Sequence, residues 1–175
     1  MTDACAYTIR TATNADIDVL SALGRSTFVG KFGHLYTAEN LELFLSTEQS
    51  PARYAELIAD PGLAIWLAET PAGDAAGYLC AGDNRLPSPP TNRDGGEIKR
   101  LYVADAHQGA GLGGALFKRG FDWLRESYRD LYLSVFSEND GAQRFYARAG
   151  FTKIGEHFFK VGDHNDLDYI YHLRV

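Results

Sequence analysis

The run Gln108-Gly109-Ala110-Gly111-Leu112-Gly113-Gly114 lies between a strand-like stretch, Ile98 to Val103, and a helix-like stretch that begins near Leu112. Glycines at such a turn leave backbone N–H groups uncovered by side chains, and a helix N-terminus adds partial positive charge at the same place. The chemistry this permits is the cradling of a phosphate or pyrophosphate. A tight strand-to-helix turn with no ligand is the plainer reading of the same glycines. Two other nucleotide motifs can be tested by spacing. Gly109 to Gly114 matches Gly-x-Gly-x-x-Gly by letter, and Asp130 stands near the distance of the acidic residue that a dinucleotide site requires. Too little sequence follows the loop, however, for a full dinucleotide domain. The Gly-Lys-Ser/Thr of a P-loop is absent.

A second segment follows about one helix and one strand later: Ser137-Glu138-Asn139-Asp140-Gly141-Ala142-Gln143-Arg144-Phe145-Tyr146-Ala147-Arg148-Ala149-Gly150-Phe151. Ala142, Phe145 and Ala149 recur at helical spacing and can face a core, while Tyr146 is one step around the helix. On its own Tyr146 reads as a core tyrosine and Asn139 as a helix cap. Together, Gln-x-x-Gly-x-Gly at Gln108 to Gly113 and the later Asn139, Ala142, Phe145-Tyr146 and Gly150-Phe151 resemble the paired signatures of the GNAT family of N-acetyltransferases.

The resemblance implies direct transfer of an acetyl group from acetyl-CoA to an amine, with no metal. It assigns the strand residues Leu101, Tyr102 and Val103 to the thioester and pantetheine arm, where a backbone N–H can stabilise charge on the carbonyl oxygen. It assigns the pyrophosphate to the loop: Gln108, Gly109, Ala110, Gly111, Leu112, Gly113 and Gly114. Asn139 is expected on the pantetheine, and Tyr146 is expected to act as general acid toward the departing thiolate. The amine must lose a proton before it attacks. An unperturbed alkylamine has a pKa of about 10.4, so deprotonation at neutral pH costs roughly 4.6 kcal/mol. Glu97, which opens the strand leading to the acetyl group, is the candidate base, directly or through water; an exposed strand-end carboxylate is the bland alternative. Glu138 is a weaker candidate.

Three further segments, Thr27 to Leu41, Glu97 to Val103, and Gly155 to Asp163 followed by Asp168-Tyr169-Ile170, resemble the Pai-type polyamine acetyltransferases. A spermidine- or spermine-like acceptor would need spaced carboxylates and aromatic faces. Glu39, Glu42, Tyr36 and Phe32 are the candidates, with an ordinary amphipathic surface as the alternative. His34 could line the same pocket or merely cap a turn. His157, His164 and His172 lack a zinc-type spacing with partners. Two other functions stay open: a protein N-terminal or lysine acetyltransferase, and a non-catalytic acetyl-CoA-binding sensor. The resemblance suggests a homodimer with the C-terminal strands involved.

The elements that must hold these residues read as follows. Tyr7 to Arg10 is a strand; helices follow from about Ile17, over Ala38 to Leu45, and over Pro51 to Ala59, which Asp60-Pro61-Gly62 stops. Leu63 to Glu69 and Ala75 to Ala81 form a hairpin. Leu86 to Gly96 is a polar, proline-rich loop expected to be exposed. Then come the strand Glu97 to Val103, the helix Leu112 to Ser127, the strand Leu131 to Ser137, a short helix Gly141 to Ala149, and the strands Phe151 to Glu156 and Asp168 to Arg174. This order predicts one α/β domain over residues 1–175, a mixed sheet of about six to seven strands flanked by about four to five helices, which is the GNAT fold. With 175 residues, 45% hydrophobic and 23% charged, the chain has the composition of an ordinary globular protein. A net charge of −6 and the lack of any Lys/Arg cluster disfavour a nucleic-acid surface. No apolar run spans a membrane and Met1 to Arg10 carries no signal segment, so a cytoplasmic location is expected, with Cys5 and Cys80 as free thiols.

Overall fold

The computed structural model describes residues 7–87 and 91–175. Cys5 and the loop residues Ser88-Pro89-Pro90 lie outside the described residues. In chain order the elements are β1 (Thr8–Thr11), α1 (Ile17–Phe32), α2 (Ala38–Glu48), α3 (Pro51–Ala59), β2 (Leu63–Glu69), β3 (Ala75–Asp83), β4 (Gly96–Val103), α4 (Leu112–Ser127), β5 (Asp130–Phe136), α5 (Asp140–Arg148), β6 (Thr152–Val161) and β7 (His164–Arg174). Among the described residues the strands make one sheet in the order β1-β2-β3-β4-β5-β7-β6. The neighbours β4 and β5 are parallel and every other pair is antiparallel. Parallel neighbours need a crossover, and α4 supplies it. The mixed α/β architecture expected from the sequence is the one observed. No helix among the described residues is long and apolar enough to cross a membrane.

Local chemistry sets the boundaries. The Ser50 side chain accepts from the Arg53 N–H at 3.1 Å and Pro51 takes the first turn, which starts α3. Alternation divides the central strands between two cores. Trp66, Leu79 and Ala81 point to the face covered by α4, where Leu112, Leu116 and Leu124 meet them. Ile65, Leu67, Tyr78 and Cys80 point to the opposite face, against Leu20, Leu23, Tyr54 and Leu57 of α1 and α3. The two strands pass so close to the β-turn at Gly62 that residue 82 must be glycine. A Cβ at Gly82 would overlap the Gly62 carbonyl oxygen and stand 2.9 Å from the Leu63 Cα, both backbone atoms. Gly82→Ala is expected to destabilise the chain by about 1–3 kcal/mol, the usual range for overpacking, measured by urea denaturation.

Two regions differ from the sequence reading. The last two strands are longer than expected: β6 runs on to Val161 and β7 begins at His164, joined by a tight turn at Gly162 with φ +60°. Consecutive Phe158-Phe159 and the polar run from Asp163 to Asp166 hide this hairpin from a test of alternation. What anchors it is tertiary contact. Val161 is fully buried with Phe28, Phe44 and Leu45, and the Asp163 N–H donates to Asn40 Oδ1 at 2.9 Å. The proline-rich loop is also less exposed than expected: Leu86 is buried against Tyr132 and Ile170, and the Thr91 side chain is buried too.

Candidate functional site

The site begins where the sheet comes apart. Strands β4 and β5 pair only over Gly96↔Leu131, Glu97↔Tyr132 and Ile98↔Leu133. Past that point β4 keeps its partner β3 and β5 keeps its partner β7, and the two diverge. A bulge sits at the divergence: β3 pairs Ala81 with Ile98 and Cys80 with Arg100, which leaves Lys99 without a partner in β3. Bulges bend a strand and increase its twist, and this one turns the second half of β4 away from β5. The backbone of Lys99 to Val103 therefore has an edge that no strand covers.

A cavity of about 280 Å³ fills the cleft. Leu101 and Tyr102 of β4, Val135 and Phe136 of β5, and Asn139 and Tyr146 line it, so residues from two separated motifs meet there. Tyr146 is the buried residue of α5, deeper than the expected core residues Ala142, Phe145 and Ala149. Its ring packs among Phe117, Phe145 and Phe151 at centroid distances of 5.9, 5.1 and 6.1 Å. Its hydroxyl has no hydrogen-bond partner among the described residues, and burial, with Tyr102 nearby, pushes its pKa well above the usual value. It therefore carries its proton at neutral pH. Asn139 caps α5: its Oδ1 accepts the Ala142 N–H at 3.2 Å. Its Nδ2 has no partner among the described residues and remains for a ligand.

The glycine loop lies beyond the end of β4. Gly109 and Gly111 have φ +77° and +81°, a region glycine enters without a Cβ penalty. A Cβ added at Gly109, Gly111 or Gly114 would meet nothing within 4 Å, so the space beside these three positions is open. Ala115 bonds back to the Gly111 carbonyl at 3.1 Å. The N–H groups of Leu112, Gly113 and Gly114 come before the first helical bond and have no carbonyl behind them to pair with. This is a cradle that fits a pyrophosphate. Ala110 is exposed at its rim. Gln108 shapes the loop from behind: its side chain donates to the Val103 carbonyl at 3.2 Å and to Asp105 Oδ1 at 2.9 Å.

At the other end of the cavity the aromatic residues Phe28, Phe32, Tyr36, Phe44 and Phe159 form a wall. Tyr36 and Phe32 are thus brought to the site. Glu39, Glu42 and His34 are not: all three are exposed and outside the lining, and Glu42 lies 3.7 Å from Arg25. Glu97 is buried rather than exposed, and it reaches the cavity wall. Its Oε2 accepts from Lys99 Nζ at 2.5 Å and from the Arg85 N–H at 2.8 Å, leaving Oε1 free. Glu138 is exposed and does not line the cavity.

Four lining residues were given no catalytic or binding role from the sequence, where His157 was weighed only as a metal ligand and Asp168 only as part of a segment of family likeness. Ser134, His157, Asp166 and Asp168 come from β5, β6 and β7 and converge only through strand pairing. No cluster of three or more metal-ligating side chains occurs among the described residues. Cys80 is a free thiol with no exposed surface, and burial pushes its pKa up to about 11. A buried, protonated thiol is a poor acyl carrier.

Comparison with known proteins agrees with this geometry. The model of the Acetyltransferase (GNAT) family matches residues 32–151. An uncharacterized N-acetyltransferase of Lactobacillus delbrueckii subsp. lactis is 30% identical over 159 residues, covering 89% of this chain and 90% of that protein. An uncharacterized N-acetyltransferase of Mycobacterium tuberculosis is 32% identical over 163 residues, covering 89% and 95%. Among solved structures, a PaiA N-acetyltransferase from Thermoplasma acidophilum in complex with coenzyme A shares the fold at a TM-score of 0.76, with 15% identity and coverage of 97% and 99%. The ribosomal-protein-S18-alanine N-acetyltransferase of Escherichia coli does so at 0.71, with 17% identity and coverage of 97% and 94%.

Proposed function

As a member of the GNAT acetyltransferase family, this chain is an acetyl-CoA-dependent N-acetyltransferase, and we propose that its acceptor is the primary amine of a small molecule, a polyamine such as spermidine or spermine leading. The observation that carries the small-molecule reading is the form of the cavity. It is small, it is walled on the acceptor side by aromatic residues, and the β6–β7 hairpin is tied down against α2 beside it. A peptide acceptor would need an open groove at that place. Aromatic faces and carboxylates are the groups that hold an alkylammonium chain. Similarity of three segments to the Pai-type enzymes favours the polyamine class.

In the mechanism we assign, the loop from Gln108 to Gly114 holds the pyrophosphate of the substrate. The uncovered edge of Leu101 to Val103 takes the pantetheine arm, with the Asn139 Nδ2 opposite it. A β4 N–H polarises the thioester carbonyl as an oxyanion-hole donor. Tyr146 protonates the departing thiolate. Glu97 fixes Lys99 in the wall, and its Oε1 is open to a proton arriving through water. For a homodimer the available face is the edge strand β6, where Phe158 is 69% exposed.

The test is thiol release from acetyl-CoA over a panel of spermidine, spermine, a short diamine, an aminoglycoside and a peptide with a free N-terminus. Saturable release with spermidine or spermine is expected. Release with the peptide alone would transfer the function to protein acetylation. Bound acetyl-CoA with no release on any amine would favour a sensor.

A further inference from the structure

We propose that Asp168 is the catalytic residue that binds the acceptor's ammonium group and takes its proton, with Ser134 and His157 as positioning residues that hold its carboxylate. The proposal rests on the amine-acetylation reading above and adds a base to it.

The argument starts from charge pairing in the cavity. Four carboxylates line it: Glu48, Glu97, Asp166 and Asp168. Glu48 is 3.2 Å from Arg100, and Glu97 is 2.5 Å from Lys99. Asp166 accepts the Tyr36 hydroxyl at 2.5 Å and lies 3.1 Å from His164 Nε2. Asp168 alone of the four has neither a Lys, an Arg nor a phenol hydrogen-bonded to it. Its single hydrogen bond among the described residues is to Oδ2, from Ser134 Oγ at 2.7 Å. Oδ1 has none. A cationic guest placed at Glu97 or Glu48 would meet the cation already bound there, whereas one placed at Asp168 would not.

The second observation is how Asp168 is held. Ser134 Oγ is also 2.7 Å from His157 Nε2. A hydroxyl has one proton, and Ser134 gives it to Asp168. His157 Nε2 is therefore the donor in the other bond, which fixes its tautomer. The chain His157 Nε2–H to Ser134 to Asp168 runs across three strands, β6, β5 and β7. It locks the carboxylate in one rotamer with Oδ1 unused. The groups that bear on Asp168 are Ser134 from β5, His157 from β6, Asp166 from its own strand, Tyr102 from β4, and Tyr36 from the turn after α1. Burial raises the Asp168 pKa, the Asp166 charge adds to this, and Ser134 and His157 oppose it. A raised pKa makes the carboxylate a better proton acceptor. Tyr102 lines the same cavity as Tyr146 and Asp168.

The proton count closes. The alkylammonium gives one proton to Asp168 Oδ1. The free amine attacks the thioester carbonyl, the C–N bond forms and the C–S bond breaks. The thiolate takes the Tyr146 proton, and the Tyr146 phenolate recovers one from the nitrogen of the adduct. Asp168 returns its proton to water when the amide leaves. One proton is released per turnover, alongside neutral thiol and amide.

The experiment compares kcat/KM against pH for wild type, D168N, S134A and H157Q, using the best amine of the panel, with acetyl-CoA binding and thermal melts measured in parallel. D168N is expected to lose about 10²- to 10⁴-fold in kcat/KM at neutral pH and to keep acetyl-CoA binding. Its deficit should shrink as pH rises toward the pKa of the amine, because free amine then needs no base. S134A and H157Q should show smaller losses that shrink in the same direction. A deficit in D168N that is constant over pH, or no deficit, overturns the assignment while leaving the acetyltransferase reading in place. If D168N does not fold, wild-type profiles in both S134A and H157Q overturn it. A wild-type enzyme that binds acetyl-CoA and acetylates no amine removes the proposal together with the reading on which it rests.

Discussion

Tyr146→Phe is expected to lower turnover by about 10²- to 10⁴-fold, the range for a general acid, and to leave acetyl-CoA affinity unchanged. The substitution removes one oxygen. The ring stays in its aromatic pocket of Phe117, Phe145 and Phe151, so α5 keeps its packing. No hydrogen bond of the fold is lost, because the hydroxyl makes none among the described residues. Most buried tyrosines find a partner for that group. A protonated phenol pointing into a cavity with nothing to bond to is a donor reserved for a ligand. Steady-state kinetics with titration calorimetry of acetyl-CoA separates the effects. Turnover close to wild type would remove Tyr146 as the acid.

Gly111→Val is expected to weaken acetyl-CoA binding at least about tenfold, or 1.4 kcal/mol. Two causes act together. At φ +81° a β-branched residue is strained by about 1–3 kcal/mol, so the loop is pushed out of its cradle geometry. The new side chain would also occupy the open space beside residue 111, next to the N–H groups of Leu112, Gly113 and Gly114 in the chain. Gly73→Val is the control. Gly73 has φ +90° and equally open surroundings, but it sits in the turn between β2 and β3. It should cost stability and leave affinity alone. Equal affinity in the Gly111 and Gly73 variants would show that the loop does not hold the pyrophosphate.

What the sequence made legible was local. Pro51 announces α3, Asp60-Pro61-Gly62 ends it, and the glycines before Leu112 open α4, which runs to Ser127. The loop and Tyr146 could be read because each sits in a motif of contiguous residues. Ser134, His157 and Asp168 could not. They are far apart in the chain, and only the β5–β7–β6 pairing brings them together. Glu39 and Glu42 were drawn in by proximity to Tyr36 and Phe32, yet they stand on the outer side of α2. Glu97 was read as the candidate base with an exposed strand-end carboxylate as the alternative, and its burial follows from Arg85 and Lys99, which reach it from the loop and from the bulge. The hairpin at Gly162 was missed because its anchors, Asn40 and Phe44, belong to a helix more than a hundred residues earlier.

The unpaired Lys99 in β4 changes the parity of its strand. Ile98 and Leu101 both face the α4 side although three positions separate them, because one residue between them is uncounted by β3. The cleft is therefore recorded in the chain as a single insertion. Removing Lys99 alone would restore even counting, keep Leu101 and Val103 on their present face, and let β4 run straight alongside β5 beyond Ile98. The gain in hydrogen-bonded sheet would come with loss of the place where two substrates meet. The opening between β4 and β5 begins at that one uncounted residue.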